Sequence, residues 1–245
     1  MSLFSKTSIK DFVKTVAFAL FFATIFRSFF FQPFSIPSGS MIPTLIIGDK
    51  LLVEKYAYGY SKYSLPMNMI PFTGKILDKK NPKRGHIVVF KLPERDGEHY
   101  IKRVIGLPGD KIELKNGTVY VNEKPNTREF IRQKVDGSGG SIYFFNETNS
   151  DGHKYQILQM TKNGSRYEDN FAPIVVPKDH YFMMGDNRNQ SSDSRFDFMS
   201  YVHRDKIVGK ARFIFFSSDA SIFEPWNWRG KIYTDRILDR LDKSL

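Results

Sequence analysis

The sequence predicts a mostly β protein that follows one N-terminal transmembrane helix, and three observations support this fold class. Residues 12–31 are almost entirely apolar. Short β-type runs recur from residue 51 onward, and helical periodicity is hard to find among them. Residues 126–170 are rich in Asn, Gly, Ser and charged residues, which predicts an inserted lobe or long loops.

The apolar stretch is long enough to cross a membrane as a helix. At about 1.5 Å per residue, residues 12–31 would span the ~30 Å hydrocarbon layer. Lys14 and Arg27 lie near its two ends, where their side chains can reach the interfaces. Because lysines cluster before the stretch, the positive-inside bias predicts that residues 1–11 are cytoplasmic and residues 32–245 are translocated.

Two other structures for this stretch are less favoured. A cleavable secretory signal shares its basic start and apolar core, but no clear small-x-small cleavage site precedes Phe29. An interfacial helix would carry one apolar stripe, whereas here apolar residues surround the helix. The sequence therefore favours a single membrane anchor.

The β-type runs define the predicted strands. The Asn116-Gly117 pair between two of them is a strong hairpin signal. In the tail, Ile237, Leu238 and Leu241 fall on one side and charges elsewhere, which predicts a short amphipathic helix. The runs are LLVEKY (51–56), HIVVFKL (86–92), HYIKRVIGL (99–107), KIEL (111–114), TVYVN (118–122), APIVVP (172–177), HYFMMG (180–185) and KIVGKARFIFF (206–216).

Composition excludes several kinds of chemistry. The 245-residue chain has no cysteine, which excludes disulfides, thiolate zinc sites, iron–sulfur clusters and a cysteine nucleophile. Its 37 Lys and Arg against 26 Asp and Glu give a net charge of +11. That surplus suits an anionic partner such as lipid headgroups, nucleic acid or acidic protein, and charge alone does not choose among them.

Two segments carry a candidate nucleophile and a candidate base. Ser38 and Ser40 lie between two prolines that restrict the backbone on both sides, which suits a presented hydroxyl but also a polar linker beside the membrane. Lys102 lies in an apolar strand-like run, where burial can lower its pKa enough for the neutral amine to act as a base. An edge-strand lysine with a solvated tip is the alternative. Arg103 would point to the opposite face of the strand.

A third segment, residues 183–197, reads MMGDNRNQSSDSRFD. Its short polar side chains are typical of a hydrogen-bonded turn in which Asp and Arg pair and hydroxyls orient a neighbour. A calcium loop is disfavoured, because Arg188 falls where that pattern needs Asp or Asn.

Together these segments resemble bacterial signal peptidase I, a membrane-anchored Ser–Lys protease that removes signal peptides from exported preproteins. Four motifs carry the resemblance in the order of the family: PSGSMIPTL followed by GDKLLVEKYAYG, then RGHIVVF, YIKRVIGLPGDKI and GDNRNQSSDSR. The resemblance implies a β-rich extracytoplasmic catalytic domain, residues 32–125 and 171–245. It also implies that residues 126–170 are an inserted, variable smaller β lobe.

The resemblance assigns roles residue by residue. Ser40 would be the nucleophile and Lys102 the general base, with Ser191 orienting the amine. The hydroxyl of Ser38 and the backbone N–H of Ser40 would form the oxyanion hole. The remaining roles are structural support from Asp193, Arg195 and Asp186, and shallow apolar substrate pockets formed by Phe34, Ile36, Pro37, Tyr100 and Ile101.

The same resemblance implies the setting of the activity. The partners would be preprotein signal peptides and membrane lipid, without nucleic acid, metal or cofactor, and the location would be the bacterial cytoplasmic membrane. Two departures from the family pattern each remove a carboxylate: His86 stands where Asp is usual, and Asn189-Gln190 replaces Asp-Asn.

Other functions fit the sequence less well. A self-cleaving Ser–Lys repressor should carry a DNA-binding module and no anchor. A dedicated processing peptidase with one substrate is harder to separate from the signal peptidase hypothesis. A catalytically silent, membrane-tethered binding protein would not need Ser38, Ser40, Lys102, Ser191 and Asp193 together.

Overall fold

A computed structural model describes residues 6–64, 74–77, 80–92, 97–135, 137, 139–218 and 232–243. Strands predominate after one N-terminal helix, so the predicted mostly β fold class is confirmed. The helix is α1 (Lys6–Phe29), and the strands are β1 (Phe31–Ser35), β2 (Asp49–Glu54), β3 (Tyr60–Ser61), β4 (Lys75–Ile76), β5 (Ile87–Leu92), β6 (Glu98–Gly106), β7 (Lys111–Lys115), β8 (Thr118–Val121), β9 (Lys124–Pro125), β10 (Thr127–Val135), β11 (Ser141–Thr148), β12 (Lys154–Gln159), β13 (Phe171–Val175), β14 (His180–Met184), β15 (Val202–His203) and β16 (Ile207–Ser217). Short 3₁₀-helices cover Lys55–Tyr58, Tyr167–Asp169, Arg204–Lys206 and Thr234–Arg236.

The helix α1 is apolar on all sides. Its segment Ile9–Phe29 has a mean hydropathy of 1.6 and is long enough to cross a membrane. Large side chains along it, among them Phe18 and Phe22, are exposed, as suits a helix surrounded by lipid. The helix ends at Phe29 and Phe31 begins β1, so the last two residues of the predicted span are not helical.

A seven-stranded antiparallel sheet forms the main body, in the order β1-β2-β16-β5-β6-β14-β15. The strand β2 alternates between buried and half-buried residues, with Leu51 and Val53 inside, as a strand with one face on a core requires. The strand β5 is buried almost throughout, because both of its faces are covered. Every run singled out in the sequence contributes to a strand.

Two smaller sheets pack against one end of the main sheet. They have the strand orders β13-β7-β8-β9 and β10-β11-β12, and the second lies within residues 126–170. One buried cluster joins all three sheets, because it includes Ile105 and Phe182 from the main sheet, Ile112 from β7, and Phe145 and Ile157 from the three-stranded sheet. The predicted hairpin also forms, since Asn116 and Gly117 both adopt positive φ, 50° and 72°.

The predicted amphipathic helix in the tail is wrong for residues 232–243. The tail contains only the 3₁₀-turn Thr234–Arg236, Leu238 is exposed with φ 66°, and Leu241 is buried in the core. Backbone hydrogen bonds pair the tail with β16, including Leu238 N–H to the carbonyl oxygen of Ile214 at 2.7 Å. Hydrogen bonds to the backbone of β16 thus determine the conformation of the tail, although its local sequence pattern favours a helix.

A buried ion pair ties the three-stranded sheet to the loop that follows β14. Arg188 donates to both carboxylate oxygens of Glu147 on β11, at 2.8 and 2.6 Å. Both side chains are essentially inaccessible. The hydroxyl of Tyr155 and the amide of Asn126 also donate to Glu147, so the buried carboxylate is well satisfied.

This pair yields a stability prediction. The substitution Glu147→Ala leaves Arg188 buried without a counter-charge, so we expect the free energy of unfolding to fall by about 3–5 kcal/mol. Urea unfolding of the full chain in neutral detergent micelles measures it. The matched control is Glu129→Ala, which breaks the exposed pair with Lys154 and should cost at most about 1 kcal/mol. Equal losses in the two variants would contradict the prediction.

Candidate active site

Ser40 lies in a turn between β1 and β2 that is held from two sides. Below it, Met41 and Leu45 are completely buried in the core. From the side, the backbone N–H of Asn187 donates to the carbonyl oxygen of Ser40 and its Nδ2 donates to that of Gly39, both at 3.1 Å. The position of the serine therefore depends on the loop after β14 as well as on its own turn.

Lys102 lies in the middle of β6, opposite Val88 on β5. Its Nζ donates a 2.7 Å hydrogen bond to Ser40 Oγ, and the two side chains are buried, with Ser40 8% and Lys102 3% exposed. Because successive side chains in a strand alternate, Arg103 points to the other face. There it binds both carboxylate oxygens of Asp186, at 2.7 and 2.6 Å.

The environment of Lys102 favours the neutral amine. Burial lowers its pKa from 10.5 to about 8, against the carboxylates of Asp193 and Asp186, which raise it. Desolvation prevails because water is removed from the ammonium and the two carboxylates are already engaged by arginines. An amine with this pKa is partly neutral near pH 7 to 8 and can accept a proton from a hydroxyl.

The residues predicted as structural support form two buried ion pairs. Arg195 binds both oxygens of Asp193 at 2.9 Å, and the backbone N–H of Gly185 also donates to Asp193. Burial opposes the charge on Asp193, but Arg195 and these hydrogen bonds keep the pKa of its carboxyl below the ordinary value. Asp186 accepts from the hydroxyl of Thr44 in addition to Arg103. Together they fix the loop that contacts Ser40.

Ser191 is buried near the serine but is not bonded to Lys102. Its Oγ forms no hydrogen bond of good geometry in the described part of the chain, but it lies close enough to the Asp193 carboxylate to help lower the pKa of that group. It also lies directly beside Gly185, where a Cβ would clash with both Ser191 Oγ and the carbonyl oxygen of Ser40. A hydroxyl can rotate about its C–O bond to donate to one neighbour and accept from another.

An open cavity of about 320 Å³ gives access to Ser40 and Lys102. Ser38, predicted for the oxyanion hole, lines this cavity. Of the residues predicted to bind substrate, Tyr100 lines it, whereas Phe34, Ile36, Pro37 and Ile101 do not. Ile36 is packed in the core with Met41, and Phe34 and Ile101 lie against a small buried cluster. The other lining residues are Gly39, Gln190 and Ser192.

The two departures from the family pattern are explained by their contacts. His86 Nδ1 lies 2.7 Å from the hydroxyl of Tyr58, and its Nε2 lies 3.3 Å from Lys210 Nζ. The amide of Asn189 accepts from the backbone N–H of Met160 and donates to Asp169. A carboxylate could not make the second bond, so the amide suits this neighbour.

A hydroxyl in contact with a buried amine of lowered pKa is the arrangement of a serine hydrolase that uses an amine base. Comparisons with known proteins agree. The family model for signal peptidase, peptidase S26, matches residues 9–216. Signal peptidase I of Rickettsia typhi is 36% identical over 218 residues, which are 86% of this chain and 81% of that protein. Signal peptidase I of Rickettsia canadensis is 38% identical over 221 residues, 87% and 82% of the two chains.

The chain therefore belongs to the signal peptidase family, peptidase S26, and is a serine endopeptidase of the class that cleaves signal peptides. A crystal structure of a signal peptidase I from Enterococcus faecalis is 25% identical and covers 54% of this chain and 97% of its own. The TM-score of that superposition is 0.32.

Sequence reasoning missed three residues of the site. Asn187 holds the carbonyls of Gly39 and Ser40, and Gln190 and Ser192 line the cavity. All three lie in the polar segment already singled out, but no spacing rule distinguishes them from their neighbours. Gln190 was recognised only as a departure from a family pattern.

The close approach at Gly185 yields a prediction. Because the substitution Gly185→Ala forces the Ser40 carbonyl and Ser191 apart, we expect kcat to fall by about 100-fold while the protein stays folded. Initial rates of preprotein cleavage and a thermal unfolding curve measure the two effects. The control is Gly137→Ala, whose Cβ meets nothing within 4 Å and should leave the rate unchanged. Wild-type activity in Gly185→Ala would contradict this prediction.

Proposed function

We propose that this protein is a membrane-anchored endopeptidase that removes signal peptides from exported preproteins after small-x-small sites, using a Ser40–Lys102 dyad and an acyl-enzyme. The observation that carries the proposal is the 2.7 Å hydrogen bond between Lys102 Nζ and Ser40 Oγ inside the protein. The family of the chain supports the substrate class.

In the proposed reaction the neutral amine of Lys102 accepts the proton of Ser40 as Oγ attacks the scissile carbonyl carbon. The tetrahedral intermediate collapses, the C–N bond breaks, and Lys102 returns the proton to the leaving amine. An ester between Ser40 and the signal peptide remains. Lys102 then takes a proton from water, which attacks the ester, and Ser40 recovers its proton as the new carboxyl terminus leaves.

The oxyanion of both intermediates would be stabilised by the backbone N–H of Ser40 and the hydroxyl of Ser38. Such donors contribute a few kcal/mol each when they are fixed before reaction. The exposed position of Ser38 on the cavity wall supports this role. In the proposal the hydroxyl of Ser191, which lies beside Asp193, turns toward Lys102 and orients the amine once substrate excludes water.

The small-x-small preference is assigned to apolar surface near Ser40. Tyr100 lies on the wall of the cavity. Phe34, Ile36 and Pro37 precede Ser40 in the chain, and Ile101 lies next to Lys102 on β6. Shallow pockets between these side chains would accept only small residues at positions −1 and −3 of the substrate.

The proposed topology places α1 in the bacterial cytoplasmic membrane, as a single pass with residues 1–11 inside the cell and the catalytic domain outside. Ser40 follows Phe29, the last residue of α1, by eleven residues, and so lies within about 40 Å of the helix end even if the chain were fully extended. A signal peptide that leaves the bilayer delivers its cleavage site at this level. Preproteins and membrane lipid are the proposed partners, and nucleic acid is not.

Substitution of the dyad tests the proposal. We expect full-length Ser40→Ala, Lys102→Ala and Lys102→Arg to lose cleavage of a preprotein with an A-x-A site by at least about 1000-fold. Arginine fails because its guanidinium stays protonated. Mass spectrometry of the products identifies the cleaved bond. The control is Lys124→Ala, which replaces an exposed lysine on β9 and should leave the rate unchanged.

Three outcomes would count against the proposal. Wild-type rates in the dyad variants would exclude the dyad. Cleavage elsewhere than after A-x-A would exclude the specificity. A folded wild-type chain that does not cleave the preprotein would favour a dedicated peptidase with another substrate or a catalytically silent binding protein.

The pH dependence of cleavage is a separate prediction. Because only the neutral amine is a base and burial lowers the pKa of Lys102 to about 8, kcat/KM should rise with pH, reach half its maximum near pH 8 and level off above. Initial rates between pH 6 and about 10 check this. A midpoint at the ordinary lysine value of 10.5, or a rate that falls with rising pH, is incompatible with the proposed base.

A further inference from the structure

A large groove lies on the main sheet, apart from the cavity at Ser40. It encloses about 1010 Å³. Its lining is partly apolar and includes the tyrosines Tyr56, Tyr58 and Tyr60 and the lysines Lys80, Lys83 and Lys210. We call this feature the tyrosine–lysine groove. Neither the proposed reaction nor the signal peptidase motifs give it a role.

The groove has an excess of unneutralised positive charge. The two carboxylates that line it are each bound to an arginine, Glu54 to Arg212 and Asp151 to Arg84, both at 3.3 Å. Within the described residues, Lys80, Lys83 and Lys210 form no ion pair. No carboxylate among the described residues neutralises the charge of these three lysines through an ion pair.

The floor of the groove brings two basic groups together. Lys210 Nζ lies 3.3 Å from His86 Nε2, and His86 Nδ1 is occupied by the hydroxyl of Tyr58. Burial, followed by the charges of Lys210 and Lys83, lowers the pKa of His86 to about 3, so the histidine is neutral. Asp242 acts in the opposite sense on His86 and Lys210, but it is bound to Arg212.

Lys210 hydrogen-bonds a neutral ring at the floor of the groove and forms no ion pair with the described residues. Its remaining N–H groups are therefore available as donors. An anion with several acceptor oxygens would satisfy these donors.

The groove adjoins the point where α1 ends. The hydroxyl of Tyr60 donates to the carbonyl oxygen of Phe29 at 2.5 Å, and the ring of Tyr56 contacts Phe30 and Phe31. Aromatic side chains such as these are enriched at the headgroup level of a membrane. If α1 spans the bilayer, as the proposed function has it, this edge of the groove lies near the level of the lipid headgroups.

We propose that the tyrosine–lysine groove binds the headgroup of an anionic phospholipid at the outer surface of the membrane. The phosphate lies between Lys83 and Lys210, and the tyrosines contact the glycerol region. This inference rests on the proposed function for one point, that α1 crosses the membrane. Headgroup binding would hold the main sheet, and with it Ser40, at a fixed height above the bilayer.

Lipid binding to the full-length chain tests the inference. The chain is prepared in neutral detergent micelles with added phosphatidylglycerol or phosphatidylcholine, and retained lipid is counted by native mass spectrometry. We expect one phosphatidylglycerol per chain and no retained phosphatidylcholine. The variant Lys210→Gln should weaken retention about fivefold, the usual contribution of one lysine near an anionic surface. The variant His86→Asp should weaken it further, because the new carboxylate neutralises Lys210 and repels the phosphate.

Matched controls make the result specific. Lys124→Gln removes the same charge from exposed β9 and should leave retention unchanged. An equal loss in this control would mean diffuse attraction to the surface and would overturn the inference. Displacement of phosphatidylglycerol by millimolar inorganic phosphate would show a free-phosphate site instead, and would also overturn it.

Preprotein cleavage in the same micelles separates this inference from the proposed function. Because His86 and Lys210 contact neither Ser40 nor Lys102 through any hydrogen bond, we expect both groove variants to cleave at the wild-type rate in neutral micelles. If the wild-type chain retains phosphatidylglycerol but does not cleave the preprotein, only the proposed function is contradicted. If it cleaves the preprotein but does not retain phosphatidylglycerol selectively, only the headgroup site is contradicted.

Discussion

Burial of one amine is the constraint on which the rest of the site depends. An ammonium inside a protein costs several kcal/mol unless it is paired, so a buried lysine without a carboxylate partner tends to lose its proton. Lys102 meets this condition because the nearby carboxylates, Asp186 and Asp193, are each occupied by an arginine. Had either arginine been absent, the free carboxylate would have raised the pKa of Lys102 and removed the base.

The two-residue period of a strand makes this arrangement possible. Adjacent residues of β6 send Lys102 to Ser40 and Arg103 to Asp186, on opposite faces of the sheet. The loop after β14 then contacts both faces, because Asp186 binds Arg103 while Asn187 holds the carbonyl of Ser40. A single loop thereby helps to set the distance between Ser40 and Lys102. The buried pair of Arg188 and Glu147 extends the same support into the three-stranded sheet.

Much of this organisation could be predicted from sequence, and the exceptions have physical reasons. The strands follow from short-range patterns, and so does the Asn116-Gly117 turn, because each signal lies within a few residues. The juxtaposition of Ser40 and Lys102, 62 residues apart, came from resemblance to a family and not from any local rule. The tail helix failed because hydrogen bonds to β16, a long-range feature, outweighed local periodicity. The family resemblance implies that Ser191 orients Lys102, but its hydroxyl lies beside Gly185 and Asp193, because the direction of a small rotatable group depends on its long-range neighbours.

The same strand pair links Lys102 to the groove beside the end of α1. His86 directly precedes β5, and two residues later Val88 pairs with Lys102 across β6. Tyr56 and Tyr60 contact the end of α1 and line the groove together with Tyr58, whose hydroxyl shares a hydrogen bond with the His86 ring. A close-packed, hydrogen-bonded sheet is rigid. A headgroup bound near His86 would therefore fix the height of Lys102 above the bilayer. A peptidase whose substrate leaves the membrane at a defined depth needs this alignment as much as it needs the neutral amine.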